Sequence, residues 1–254
     1  MMPQQQLSCR TFDAPAVMPG CSTCPLSSLE LCVEGRRNRE SESHAQNVGQ
    51  NTGFALARRV FSRQEEVRDL VPVICSGWAA AYVNLPNGNR QILSFILPGE
   101  FLSASLIFSG AQYVWVEAVS DVHYRTFDRT DFMREIAGRP QSFALIAEVW
   151  IKEKRRADRL IVDLGRRTAE ERIASLLIDL VDRLRARDLV SPDGSVEFPL
   201  RQHHIADATG LTSVHVSKVL SEFRRRGLFE LSERVLTIKD AAALRRSAGE
   251  PHSR

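Results

Sequence analysis

Three cysteines stand close together near the start of the chain: Cys21, Cys24 and Cys32, spaced C-x2-C-x7-C. Thiolates grouped this way can converge on one soft metal centre. The chemistry open to this segment is therefore iron–sulfur or zinc ligation, or thiol redox. With Cys9 and Cys75 the chain has five cysteines. An odd count with three tightly grouped points to a metal or redox site in a reducing compartment rather than to a disulfide framework. A second stretch with chemical character lies far downstream, QHHIADATGLTSVHVSKVLSEFRRRGL from Gln202 to Leu228. At helical spacing Ser213, His215, Ser217, Lys218, Ser221 and Arg225 share one polar, donor-rich face. Short donors near a helix start suit base edges in a major groove, with the helix end turned to phosphate.

The elements that must position that face are written in the same stretch. Ile205, Ala206 and Ala208 give a first short helix, Gly210-Leu211-Thr212 a turn, and Ser213 to about Arg226 a second helix. Glycine tolerates the left-handed conformation that follows a helix end, and the Thr212 hydroxyl can cap the next helix. Val216, Val219, Leu220 and Phe223 recur at i, i+3, i+4 and i+7, one buried stripe opposite the polar face. An ordinary helical hairpin in a core is the plainer alternative.

The chain has 254 residues, room for two domains, and a formal net charge of only +3. Charge is nonetheless uneven. Between Arg201 and Leu228 there are five Lys or Arg (201, 218, 224, 225, 226) against two acids (207, 222), plus three histidines. Phosphate contacts are local, so this local excess counts for more than the sum. No run of about 18 apolar residues suggests a membrane span, and the first residues lack a secretory pattern. A cytoplasmic location without membrane attachment is the expectation.

Residues 1–53 read as a flexible cysteine-containing arm, Pro- and Gln-rich at first and strongly polar from 33 to 53, with at most a short helix there. Residues 54–138 change to short apolar runs, among them Val71–Cys75, Trp78–Leu85, Gln91–Ile96 and Val114–Val119, broken by glycine turns. Asn87-Gly88 between two such runs predicts a hairpin with both central residues at positive φ. Regular short strands of this kind suggest a small antiparallel β-barrel or sandwich. Residues 139–165 read as a long helix. Phe143, Ile146, Trp150, Glu153, Ala157, Leu160 and Leu164 form a heptad seam that predicts a dimer interface, with Glu153 wet or paired. Leu145, Val149 and Ile161 form a flanking stripe, so one stripe can face the barrel and the other a partner chain. Within 166–247, Thr168 with Glu171 fits a capping box, and Val196, Phe198 and Leu200 alternate as a strand. The helix pair follows, then Phe229–Leu231 and Val235–Ile238 as a β wing. Residues 248–254 read as a disordered tail.

This order of arm, barrel, long helix and winged helix-turn-helix resembles the CRP/FNR family of transcription regulators over roughly Phe54–Ile238. The most specific segments are Gly210 to Leu220 (GLTSVHVSKVL), Ala169 to Ala174 (AEERIA) and Pro98-Gly99-Glu100-Phe101. The resemblance implies an α+β fold and a homodimer on double-stranded DNA with a two-fold symmetric site, working with RNA polymerase and having no enzymatic activity. The family's base-reading positions fall on Ser213, Val214 and Lys218, with Thr212, His215 and Ser217 beside them and Gln202 and His203 toward phosphate. Val214 stands where glutamate is common and Lys218 where arginine is usual. Val214 can meet a thymine methyl, and Lys218 can reach guanine with less rigidity than a guanidinium fork. The half-site therefore differs from the family's commonest one.

The family's cyclic-nucleotide branch carries Gly and Glu where this chain has Ser103 and Ala104, and an arginine where Gln112-Tyr113-Val114-Trp115 has none. A cyclic phosphate without its cationic partner would be poorly held, so a cyclic nucleotide is not expected. The oxygen-sensing branch holds a 4Fe–4S cluster on three arm cysteines and one barrel cysteine. Cys21, Cys24 and Cys32 match the arm, and His123 stands where the fourth cysteine would be, with Cys9 or Cys75 as alternative fourth ligands. Zinc, thiol redox and a cofactor-free regulator controlled by its abundance or by thiol oxidation remain alternatives. A cupin-type metalloenzyme is a remote one. His123 is the only histidine between Phe54 and Asp128, too few for a cupin metal cluster.

Overall fold

The computed structural model describes Cys24 and residues 50–62, 69–109 and 113–249. Cys9, Cys21, Cys32 and Gln112 lie outside the described residues, as do most of the arm and the end of the tail. Two antiparallel sheets form the N-terminal domain. One has the order β1 (Gln50–Ala55), β7 (Val122–Asp128), β3 (Leu70–Ser76). The other has the order β2 (Val60–Ser62), β6 (Trp115–Ala118), β4 (Ala79–Asn84), β5 (Arg90–Ile96). Between the sheets lie Ala55, Ile74, Ala79, Ala81, Ile96, Val116, Ala118 and Val122, all buried, with the short helix α1 (Ala104–Ser109) supplying Leu106. The polar segment ending at 53 thus runs into a strand, β1, which β7 recruits from about 70 residues away, pairing Phe54 with His123.

The β4–β5 hairpin forms where Asn87-Gly88 predicts it, but with a different turn. Gly88 N–H donates to Leu85 O at 3.0 Å and Leu85 N–H to Asn89 O at 2.8 Å. Only Gly88 is left-handed, with φ of 84°. The reason is Pro86. A two-residue turn would need an N–H from the residue before Asn87, and proline has none. The hairpin instead closes one residue farther out.

Two helices follow the sheets. The first, α2 (Arg129–Ala137), falls in the segment read as barrel; Asp128 caps it, accepting from Asp131 N–H. The second is the long helix α3 (Pro140–Arg166), with proline in its first turn, where no backbone donor is missed. Phe101 of the barrel, Phe132 and Ile136 of α2 and Ile146 of α3 share one buried cluster, on which Leu145, Val149 and Cys24 pack. This corrects the expected seam. Ile146 is 1% exposed and belongs to its own chain's core. Leu160 and Leu164 are half-buried against α4 and β5. The free apolar face instead runs through Phe143, Trp150, Ile151, Ala157, Ile161 and Val162. Both stripes exist, but Ile146 is buried with the flanking one and Ile161 is exposed, because the barrel meets α3 from the Leu145–Val149 side. Glu153 is half-buried.

The C-terminal domain starts at α4 (Ala169–Arg185). Its capping box is complete: Thr168 Oγ1 accepts from Glu171 N–H at 3.3 Å, and Glu171 Oε2 accepts from Thr168 N–H at 2.7 Å. A three-stranded sheet, β8 (Ser195–Glu197), β10 (Val235–Ile238), β9 (Phe229–Ser232), flanks α5 (Gln202–Thr209) and α6 (Ser213–Arg225), and α7 (Ala241–Ser247) closes the chain. The wing reverses through Glu233 and Arg234, both left-handed at φ 47° and 64°. One apolar cluster runs from Trp78, Phe95 and Leu97 in the barrel to Phe198, Leu220 and Phe223 in this domain, so the two domains share a core. Among the described residues no helix is long and apolar enough to cross a membrane.

Candidate nucleic-acid interface

The helix pair is built by local rules that the structure follows closely. Gly210 ends α5 in the left-handed conformation, φ 65° and ψ 32°. A side chain there would be strained and would also meet Leu164 Cδ2 at 3.2 Å. Thr212 caps α6, its Oγ1 accepting from His215 N–H at 3.2 Å. Val216, Val219, Leu220 and Phe223 are all buried, which turns the other side of α6 outward. Gln202, Thr212, Ser213, Val214, His215 and Lys218 are exposed there, Ser217 is half-buried, and Val214 is 68% exposed.

Gln202 and Ser217 join the two helices, with Gln202 Nε2 donating to Ser217 Oγ at 3.4 Å. A shallow concave face is lined by Gln202, Ser213, Val214, Ser217 and Lys218, continuing to Ser221, Glu222 and Arg225. Ser221 and Arg225 belong to the expected polar face of α6, and Glu222 adds to it. Ser221 and Arg225 were legible at i+3 and i+7 from Lys218 on the polar face, whereas the engagement of Glu222 was not. Glu222 holds the Arg225 guanidinium with two bonds, 2.9 and 2.6 Å. That bond pattern pulls the Glu222 carboxyl below the usual glutamate range and raises Arg225. Arg226 is engaged elsewhere, by Glu170 and Ser247. Lys218 is exposed, lines the concave face and makes no ion pair among the described residues. An unpaired cation there can meet a guanine edge or a phosphate without first breaking a contact.

The two histidines of α5 differ. His204 is buried, and its Nδ1 accepts from Arg201 N–H at 3.1 Å, closing the start of the helix. Burial, with His203 and Arg90 nearby, pushes its pKa down to about 3, so it is a neutral structural cap. His203 is exposed beside it, ring centroids 3.9 Å apart. Partial burial and then Arg90 also lower its pKa, so near neutral pH its ring is neutral and can donate one N–H.

The metal candidates are only partly within the described residues. Cys24 is half-buried against the cluster of Phe101, Phe132 and Ile146. His123 on β7 is half-buried with its ring centroid 4.7 Å from that of Phe54. Cys75 occupies a bulge of β3, between Ile74 opposite Tyr124 and Ser76 opposite His123. Its Sγ lies 3.9 Å from Val73 O. Among the described residues, no three His, Cys, Asp or Glu side chains are grouped to hold a metal ion. The described residues therefore do not by themselves make a cluster site.

Residues 171–247 match the family described as Crp-like helix-turn-helix domain, and residues 55–139 the family described as cyclic nucleotide-binding domain. The chain is 32% identical over 224 residues to the nitrogen fixation regulation protein FixK of Bradyrhizobium diazoefficiens, covering 87% of this chain and 91% of that one. It is 27% identical to the transcriptional activator protein FnrL of Cereibacter sphaeroides, covering 94% and 95%. The structure of FixK2 from Bradyrhizobium japonicum superposes with a TM-score of 0.71 at 23% identity, covering 81% of this chain and all of that one.

Proposed function

The chain belongs to the CRP/FNR family of DNA-binding transcription regulators, and from that membership we propose that it acts as a homodimer on a two-fold symmetric site under control of a redox or oxygen signal. The observation that carries the DNA reading is the exposed face of α6. Ser213, Val214 and Lys218 read bases, and Thr212, His215 and Ser217 stand beside them. Gln202 and His203 meet the phosphate backbone. The dimer forms along α3 through Phe143, Trp150, Ala157 and Ile161, apolar positions left uncovered in the single chain. RNA polymerase is the partner that the family implies.

Support for the signal comes from the arm. Cys21, Cys24 and Cys32 match the oxygen-sensing branch, and Cys24 packs on the cluster shared by barrel, α2 and α3. A 4Fe–4S cluster, when bound, would supply a redox- or oxygen-labile centre. His123, Cys9 or Cys75 would complete it. A cyclic nucleotide is not part of the proposal, since Ser103, Ala104 and the segment Tyr113-Val114-Trp115 lack its partners.

Replacing Lys218 with alanine is expected to weaken binding to a selected site by about 1–3 kcal/mol and to relax base preference at one position per half-site. Binding that is unchanged in strength and sequence preference would overturn the assignment of the reading face. For the signal, protein purified without oxygen is expected to contain iron and sulfide and to absorb in the visible. A colourless, iron-free dimer that binds DNA equally with and without oxygen would remove the sensor and leave the DNA reading standing.

A further inference from the structure

The DNA-binding domain meets the barrel at two polar points with different consequences. At the first, Arg183 of α4 donates to Glu100 at 2.5 and 3.1 Å and to Phe95 O at 2.5 Å. Both side chains are nearly buried, at 13% and 14% exposure. Separating them would break three charge-assisted bonds at once and leave Glu100 with only Arg156, 3.9 Å away, as a charged partner while Arg183 kept Asp179 at 3.1 Å, so this contact is the costlier of the two to open.

The second point is Arg90 on β5. Its Nε donates to Asp207 on α5 at 2.6 Å, and its other arm donates to Glu117 on β6 at 2.7 Å. Beside it Gln91 Nε2 donates to Ala208 O at 3.2 Å. These groups are wetter: Arg90, Glu117 and Asp207 are 21%, 16% and 26% exposed. If α5 moved off β5, Arg90 would keep Glu117 and its place over the Tyr82 ring. Asp207 would simply become hydrated. Neither domain would be left with a buried unpaired charge. A contact that both sides can leave without such a penalty is one whose population other events can shift.

We propose that Arg90–Asp207 is a latch that sets the angle of the DNA-reading helix against the barrel, with Arg183–Glu100 as its pivot. α6 follows α5 through the Gly210 turn and the Gln202–Ser217 bond, so fixing α5 on β5 fixes α6 as well. The latch is closed in this structure, with Ser213, Val214 and Lys218 exposed, and in this proposal the closed state is the one that reads DNA. In a dimer two such helices must enter grooves about 34 Å apart, where a small change of angle is magnified at the second half-site. The latch therefore matters for a full site far more than for a half-site. This inference rests on the dimeric DNA reading proposed above.

The test uses the full chain, the nearly isosteric variants Arg90→Gln and Asp207→Asn, and the two combined. Two duplexes serve as probes: a two-fold site selected in vitro with the unaltered protein, and the same duplex with one half-site scrambled. Each single variant is expected to weaken full-site binding about tenfold, the scale of one charge-assisted bond. Half-site binding should change less than about twofold, and the double variant should be no weaker than the weaker single one. Without DNA, amide hydrogen exchange in α5 should quicken in every variant. Unchanged full-site binding, equal losses on both duplexes, additive losses or unchanged exchange would each overturn the latch. If the unaltered protein itself gains nothing from the second half-site, the dimeric reading fails, and the latch with it.

Discussion

Arg183→Ala is expected to cost about 3–5 kcal/mol of stability at neutral pH, the scale for removing one partner of a buried ion pair. Glu100 would be left behind in the interior with Arg156, 3.9 Å away, and the Leu97 N–H as its remaining partners. In the intact protein burial works to raise the Glu100 pKa, but Arg183, then Arg156, and the Leu97 N–H together hold it below the ordinary glutamate value of 4.5. The sign of the pH effect follows. A carboxyl whose folded pKa is depressed stabilises the fold above its unfolded value, and that contribution is lost as pH falls through the folded one. The variant loses the main cause of the depression, so its Glu100 protonates at higher pH and the penalty of a stranded charge shrinks in acid. Urea unfolding of both proteins at pH 7 and near pH 4 should give a smaller difference at the lower pH. An equal or larger difference in acid would show that Arg183 contributes through packing rather than charge. With typical stabilities of about 5–15 kcal/mol, a loss of this size also brings the variant within reach of unfolding at growth temperature.

Phe223→Ala is the second large effect, about 3–5 kcal/mol, set by the cavity that a fully buried phenyl ring leaves. Phe223 is 0% exposed, stands edge-on to Phe229 with centroids 6.5 Å apart, and belongs to the cluster joining both domains. Its loss should release α6 from the wing and abolish DNA binding through unfolding, read as a lowered melting temperature together with lost affinity. Val214→Ala on the opposite face is the contrast. That side chain is 68% exposed, so stability should move by no more than about 0.5 kcal/mol while base preference changes. A Val214→Ala protein that melted as early as Phe223→Ala would mean the two faces of α6 had been interchanged.

The helix pair was legible because its determinants are local. Gly210, Thr212 and the Val216–Phe223 stripe lie within 14 residues and act through turn, cap and period. Most barrel strands were legible as apolar runs between glycines. β1 was not, since its polar sequence becomes a strand only by pairing with β7. The heptad reading of α3 found two apolar stripes, but periodicity carries no information about which one the barrel covers. Ile146, expected on the partner-facing stripe, is therefore buried in its own chain, while Ile161, expected on the flanking one, is exposed. The turn at Asn87-Gly88 was misread for a local reason: the missing N–H of Pro86 outweighed the preference of the dipeptide.

The sequence by itself determined the family and order of modules, the helix-turn-helix, the exposed polar face of its second helix and the cysteine spacing of the arm. Each of these is written in residues close along the chain. Only the tertiary structure decided how the modules are joined. Glu100 was visible as part of Pro98-Gly99-Glu100-Phe101, but its partner Arg183 lies 83 residues away. Arg90 and Asp207 are 117 residues apart and carry no motif at all. Pairs at such separations are chosen by the packing of whole domains, and an ion pair leaves no periodic trace in the chain that forms it.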